Sequence, residues 1–481
     1  MSRPPAHFDI VAIARDVAIR EGFVVEPPLL GDAAAEPVDG DDPSIVDETA
    51  LHWSSIDNHE TTDLDQIEVA EALADGVIRI KLGIADVDAF VPRDSVLDKH
   101  AARNTTSLYA GIATFPMLPD DLSSGATSLL AGHMRLALVT EIDVAKDGTV
   151  VASRAYRARV VNHAKLVYDE VGAWLENHGD LPEPSRFSWL AEQLRLQDDA
   201  AQRLRRRRID NGALQLETVE VRAVAKNGEV VDLVLTHKSR ARELIEDLMI
   251  AANGATARWL EAERFASIRR VVRRPKRWDR IVALAAELGT TLPADADPRA
   301  LASFLEEQRA KDPAHFGDLS LSVVKLLGPG EYAVADPDSP EGHFGLAVDD
   351  YAHSTAPNRR YGDLVTQRLL KAAARGVASP YDVAALTAIA VRCTERENAA
   401  RKFERTMRKV GAALFLSRRI GAIFDGVITG VSSKGTFVRL IDPPAEGRIV
   451  DGEAGLDVGD RLRVRLVATE PTRGFIDFAR A

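Results

Sequence analysis

Ser55-Ile56-Asp57-Asn58-His59-Glu60-Thr61-Thr62-Asp63-Leu64-Asp65-Gln66 is the stretch on which the reading of the chain turns. Asp63 and Asp65 are separated by one residue, and on an extended backbone positions i and i+2 share a face. Asp57 ends the stretch Trp53-Ser54-Ser55-Ile56, and a five-residue loop brings it back beside the other two. Three carboxylates converging on one point repel unless a divalent cation sits between them. Donors that are all oxygen suit Mg²⁺ or Mn²⁺ rather than zinc. The same residues also fit a plainer reading, in which Asp57 and Asp63 cap turns. A calcium loop is disfavoured, because the twelve-residue pattern with its central Gly and terminal Glu is absent.

The acids belong to a larger block. Between Glu21 and Ile78 there are sixteen Asp and Glu and no Lys or Arg. The net charge of −12 argues on its face against a nucleic-acid partner. The other 423 residues, however, carry a net +4, so one acidic segment is averaged into a mildly basic chain. With 481 residues, 46% hydrophobic and 28% charged, the chain is long enough for several cores and reads as globular. No run of about 18 apolar residues exists to span a membrane, and the N-terminus lacks the apolar core of a secretory signal. One cysteine, Cys393, excludes a disulfide scaffold and suits the cytoplasm.

Outward from the acidic loop, residues 54–73 and 76–91 read as two short strands joined by loops. Residues 136–162 read as a hairpin turning at Lys146-Asp147-Gly148. Residues 8–22 have near-helical apolar spacing, and 23–45 read as a linker. Helices are expected over 187–208, 239–266, 277–289, 298–310, 361–375 and 380–418. Residues 420–481 return to short alternating strands with Gly turns, which suggests a small barrel. Its middle, interrupted by Pro between 440 and 456, points to a reduced one.

A second constellation lies far along the chain, from His353 to Asp363, through Asn358-Arg359-Arg360-Tyr361. Pro357 favours a turn before a helix starting near Arg359 or Arg360. Such a pair can simply be a helix surface. It can also bind phosphate, because the guanidinium fork and the helix start both favour anions.

The two constellations together resemble the catalytic domain of the ribonuclease II / ribonuclease R family, the RNB domain. The resemblance continues in order through Ile84-Ala85-Asp86-Val87, Leu97-Asp98, Pro116-Met117-Leu118-Pro119, Lys165-Leu166-Val167-Tyr168 and His343-Phe344-Gly345-Leu346. It covers residues 47 to 415, and implies a 3′→5′ hydrolytic exoribonuclease that degrades single-stranded RNA processively to nucleoside 5′-monophosphates. By that resemblance Asp57, Asp63 and Asp65 hold Mg²⁺ or Mn²⁺, and Arg359 stabilises charge on the scissile phosphate, with Arg360 second for that role. Tyr109 stacks on terminal bases, Phe265 is a second stacking residue, and Glu404 contacts RNA. The plainer reading of Tyr109 is a core tyrosine. Many members carry a fourth Asp where this chain has Gln66. An amide can ligate through its oxygen but adds no charge, so the departure implies a second metal held more weakly through Gln66, or held by a different residue, the carboxylate of Asp86.

Three basic clusters are candidates for the RNA path: Arg203 to Arg208, Arg269 to Arg280 with Trp278 interleaved, and Arg401 to Arg419. Of these the second, with Arg273 and Arg274, is preferred, although any basic run can be a solvated helix face. The tail resembles an S1-type OB-fold through Phe424, Gly426, Val427, Gly430, Gly435, Phe437, Val438 and Val458-Gly459-Asp460. Such folds bind single-stranded RNA on the sheet face.

The expected organisation is α+β. A short helical module with an acidic linker occupies 1–46, an RNB domain (a mixed sheet packed with helices) 47–418, and an S1-like barrel 419–481. A cytoplasmic monomer without membrane contact is expected. The rival is a catalytically silent RNA-binding protein on the same fold, motivated by Gln66. A metal hydrolase unrelated to RNA leaves the S1-like tail unexplained.

Overall fold

This computed structural model describes residues 9–29, 37–38, 40–111, 113–182, 186–217, 220–226, 229–236, 238–313, 315–335, 342–433 and 435–481. Phe8, residues 30–36 and 39 of the expected linker, and Lys434 lie outside them.

The elements run α1 (Ile10–Arg20), β1 (Val46–Asp47), β2 (Ser54–Asp57), β3 (Gln66–Ala72), β4 (Ile78–Ala85), α2 (Val96–Asn104), β5 (Leu108–Tyr109) and β6 (Thr114–Phe115). Then come β7 (Met134–Val144), β8 (Val150–Val161), β9 (Ala164–Val167), α3 (Tyr168–Leu175), α4 (Leu190–Asp210), β10 (Glu220–Lys226), β11 (Glu229–Thr236), α5 (Arg240–Ala262) and β12 (Ile268–Val271). The rest are α6 (Trp278–Glu287), α7 (Pro298–Lys311), α8 (Phe316–Leu327), β13 (Glu331–Val334), α9 (Tyr361–Ala374), α10 (Val383–Leu416) and β14 (Ile423–Ser432) to β15 (Gly435–Leu440), β16 (Glu446–Asp451), β17 (Arg461–Glu470) and β18 (Phe475–Arg480).

Seven strands form one mixed sheet in the order β1-β8-β7-β4-β3-β2-β9. Only β1·β8 and β2·β9 are parallel. Both faces are covered by apolar clusters, although Arg79 and Lys81 alternate with Ile78, Ile80 and Leu82 along the first part of β4. On one face Trp53, Leu64, Ile67 and Leu138 pack against Leu364 and Val365 of α9. On the other, Ile56, Ile80, Leu82 and Ile142 pack against Leu194 of α4 and Leu244 and Leu248 of α5. The β7–β8 hairpin turns at Gly148, φ +79°, where any Cβ would collide with the Arg203 carbonyl.

The tail is a closed five-stranded barrel, β14-β15-β16-β18-β17, so the expectation of a reduced barrel is corrected. Val438, Ile449, Val464, Leu466 and Phe478 fill it, and Ala412, Ala413 and Leu416 of α10 close one end. Pro443 and Pro444 fall in the connection between β15 and β16 and leave both strands intact. The 34-residue α10, about 50 Å long, joins barrel to sheet.

The described parts of the supposed linker are tied down. Val24 bonds to Asn104, the Gly40 carbonyl accepts from Arg159, and Asp42 pairs with Arg375. Among the described residues no helix is long and apolar enough to cross a membrane.

Candidate active site

Leu64 fixes the acidic loop. Its side chain is fully buried beside Trp53, its N–H donates to Ser128 Oγ at 2.9 Å, and its carbonyl accepts from the Leu129 N–H at 3.0 Å. With Leu64 held in the core, Asp63 and Asp65 line the cavity on either side of it. Lys165 braces the loop from below, donating to the Thr61 carbonyl at 2.5 Å and the His59 carbonyl at 3.0 Å.

Asp57 does cap a turn: one oxygen accepts from the Asn58 N–H at 2.7 Å and the Thr61 hydroxyl at 2.8 Å. The turn reading and the cavity reading therefore coexist at this residue. Asp65 is 3% exposed. Its Oδ1 accepts from the Asn358 N–H at 3.1 Å, and its Oδ2 lies 3.5 Å from Arg359 Nε. Burial, only partly offset by Arg359, pushes the Asp65 carboxyl up to about 7. Asp63 is raised as well, by burial and by neighbouring Asp57 and Asp120.

These side chains share a cavity of about 330 Å³, lined by Asp57, Asp63, Asp65, Gln66, Tyr109 and Arg359. Tyr109 is 38% exposed there, and desolvation pushes its phenol up to about 12. Arg359 reaches in from the turn before α9 with 43% of its side chain exposed. Two further lining residues carried no signal of this kind in the sequence. Arg242 of α5 donates to Asn58 Oδ1 at 2.9 Å and lies 4.5 Å from the ring centre of Tyr168. Tyr168 stands in a quoted motif, but nothing there marks it as a wall of the site.

Among the described residues no three acids or imidazoles form a ready-made metal shell. The three aspartates instead line one open space with oxygen donors, and burial raises the carboxyls of Asp63 and Asp65. That suits a hard divalent ion which completes its shell with water and phosphate. Asp86 does not replace the missing fourth carboxylate. It is fully buried between Arg157 (2.9 Å) and Lys371 (2.8 Å). Glu68, two residues after Gln66, is fully buried with neither carboxylate oxygen hydrogen-bonded, and burial raises it well above the ordinary range.

Several candidates lie elsewhere. Arg360 does not line the cavity: its guanidinium makes a two-pronged pair with buried Asp363, at 2.8 and 2.7 Å. Phe265 is half-buried against the sheet core, and Glu404 is half-buried on α10; neither lines the cavity. Arg273 pairs with Glu331, while Arg274 is exposed. Arg269 and Arg270 are buried against Glu261 and Glu397, and the Trp278 indole donates into the core at Pro293. Of the second basic cluster, Arg269 and Arg270 are thus internal, while Arg273, Arg274, Lys276, Arg277 and Arg280 are exposed. In the first, Arg203, Arg205 and Arg208 pair with Asp199, Glu243 and Asp247. Phe437 is half-buried on β15, whose alternate residues Thr436, Val438 and Leu440 face the barrel core.

Comparison with known proteins follows this geometry. Residues 46–376 match the RNB domain, and residues 422–481 match the RNase II-type exonuclease C-terminal S1 domain. Exoribonuclease 2 of Escherichia fergusonii is 33% identical over 404 residues, covering 82% of this chain and 61% of that protein. Exoribonuclease 2 of an Escherichia coli strain matches with the same figures. The chain thus spans about three fifths of the length of these relatives. Among solved structures, Mycoplasma genitalium RNase R in complex with ribose methylated single-stranded RNA superposes with a TM-score of 0.87 at 24% identity, over 98% of this chain and 78% of that one. Yeast Ssd1, a pseudonuclease, superposes with 0.71 at 15% identity, over 91% and 55%. The likenesses to both structures concern the fold. On the sequence match across most of its length, the chain belongs to the RNB-domain family, with an RNase II-type S1 domain at its C-terminal end.

Proposed function

We propose that the protein is a 3′→5′ exoribonuclease that hydrolyses single-stranded RNA processively to nucleoside 5′-monophosphates, using Mg²⁺ or Mn²⁺. The observation that carries the reading is the meeting of Asp57, Asp63, Asp65, Arg359 and Tyr109 around one cavity. At about 330 Å³ that cavity sits near the small end of the roughly 300–1,000 Å³ range of ligand sites, in keeping with removal of one terminal unit at a time.

Asp57, Asp63 and Asp65 would hold the ions, with Gln66 as a neutral oxygen donor beside them. Bound divalent ions supply an activated water and charge neutralisation for a phosphodiester. Arg359 presents its guanidinium to the scissile phosphate. Asp65, 3.5 Å away, keeps that fork in place. Tyr109 offers a π-face to a base of any identity, as degradation of arbitrary sequence requires. The silent RNA-binding alternative rests on Gln66 and on the shared fold of a pseudonuclease; three clustered carboxylates with an arginine favour the enzyme.

In the same proposal, residues 1–46 are a short helical module with an acidic linker, 47–418 the catalytic domain and 419–481 the RNA-binding barrel. The protein works as a cytoplasmic monomer, a compartment that suits the free Cys393. Phe437 and the exposed Arg274, with Arg405 and Arg408 of α10, would touch the RNA.

Two measurements test parts of this. Asp65 keeps its proton to about pH 7 in the ion-free protein, and an ion must displace it. Mg²⁺ affinity is therefore expected to rise between about pH 6 and pH 8, with proton release, in calorimetry run in two buffers of different ionisation enthalpy. A pH-independent affinity would remove Asp65 from the ion site. Deleting residues 420–481 is expected to weaken RNA binding about tenfold or more while changing single-turnover cleavage less, because the barrel carries binding surface and none of the cavity. Equal losses in both would assign the barrel a role in the chemistry.

A further inference from the structure

The segment carrying Tyr109 is gripped from two sides. Asn104 ends α2, and Thr105 after it turns left-handed at φ +60°. From there the chain runs along the arginine turn. The Thr105 carbonyl accepts from the Tyr361 N–H at 2.8 Å, and the Ser107 N–H donates to the Arg359 carbonyl at 3.0 Å. Leu108 and Ala110, on either side of Tyr109, are buried at 2% and 8% while Tyr109 stays open to the cavity.

Those flanks are buried in an apolar cluster built by α10, through Phe403 and Met407, together with the N-terminal module. Ile10, Ala14 and Val17 form the inner stripe of α1, and with Phe23 they share one apolar cluster with Leu108 and Ala110. Asp9 caps that helix, accepting from the Val11 and Ala12 N–H groups at 3.0 and 3.1 Å. Past the helix, Val24 is locked to the Asn104 amide by two hydrogen bonds. Its N–H donates to Oδ1 at 3.0 Å, and its carbonyl accepts from Nδ2 at 2.8 Å. Phe23 lies under the Arg396 guanidinium at 3.7 Å, and Arg396 Nη1 donates to the Glu21 carbonyl at 3.0 Å.

We propose that residues 9–25 are a positioning strap: the helix and its Phe23-Val24 extension set the stacking ring of Tyr109. The inference rests on the exoribonuclease reading and deepens it. Asn104 touches neither RNA nor ion and is a positioning residue. The strap matters most for short substrates, because a long RNA has other surfaces to hold it and a terminal oligonucleotide has little beyond the ring and the cavity.

The test compares full-length wild type, Asn104→Ala, Tyr109→Ala and the double variant on long single-stranded RNA and on a short oligoribonucleotide. Asn104→Ala is expected to lengthen the limit fragment and to raise KM on the short substrate about tenfold, the weight of one partly lost base stack, with turnover on long RNA near wild type. In the Tyr109→Ala background it should add nothing, because its effect passes through that ring. An unmoved limit fragment, or losses that simply add in the double variant, overturns the inference. If Asn104→Ala fails to fold, Phe23→Leu makes the same comparison. A wild-type protein that releases no mononucleotides overturns the exoribonuclease reading and this inference with it. An active wild type with an unmoved limit fragment overturns this inference alone.

Discussion

The Asp65→Asn protein is expected to lose hydrolysis by about 10³-fold or more in kcat while binding RNA nearly as well as wild type. The substitution is close to isosteric, and the amide oxygen can still accept from the Asn358 N–H that now reaches Oδ1 at 3.1 Å. What is lost is a negative charge at the one aspartate of the three that is almost wholly buried. A neutral amide there resembles the protonated acid, the form that burial favours up to about pH 7. The carboxyl is raised in the folded state, so ionising it costs stability as pH climbs from the ordinary range through about 7. The ion-free variant should therefore be at least as stable as wild type above pH 7, which separates loss of chemistry from loss of fold. RNA affinity survives because Tyr109, the barrel and the basic residues are untouched. Turnover near wild type would refute a catalytic role for the aspartate cluster.

Two adjacent arginines make the second large contrast. Arg359→Ala is expected to lower kcat about 10²–10³-fold with a modest change in KM and in thermal stability. Its side chain is 43% exposed, faces the cavity, and has only a 3.5 Å approach to Asp65 to lose. Lysine should restore little of the rate, because a point charge does not reproduce a planar fork against phosphate. Arg360→Ala should behave in the opposite way. Its guanidinium is committed to Asp363, a carboxylate with no exposed surface that also accepts from the Ala356 N–H at 2.8 Å. Removing the partner strands a buried charge at a cost of about 3 kcal/mol, read as a fall in thermal midpoint. Steady-state kinetics with thermal melts on both proteins distinguish the roles. Equal rate losses with equal stability would contradict this division.

How much of the site was legible follows from what a sequence records. The spacing Asp57…Asp63-x-Asp65 is a local statement about one loop, and one buried leucine between the last two is enough to set both on the cavity. Arg359 is readable because Pro357 and the following helix fix a turn. Arg360, Arg269, Arg270 and Trp278 look like phosphate or base contacts in a string of letters. Their partners Asp363, Glu261, Glu397 and Pro293 decide otherwise, and long-range pairing leaves no local mark. Arg242 enters the cavity from a helix face that reads as ordinary.

The fold shows the same division. Long periodic helices such as α4, α5, α9 and α10 were readable, whereas the short α2 and α3, α8 and the β10–β11 hairpin were not. In its described parts the expected linker has no helix or strand, yet side chains far along the chain, Asn104, Arg159 and Arg375, tie it down, and such long-range pairing is not legible locally.

The most direct test is a 5′-labelled single-stranded RNA incubated with the full chain and Mg²⁺. The expected result is steady release of nucleoside 5′-monophosphates from the 3′ end, with the label collecting in one short fragment and no reaction in EDTA. RNA bound but uncut, or cut internally, would contradict the assignment.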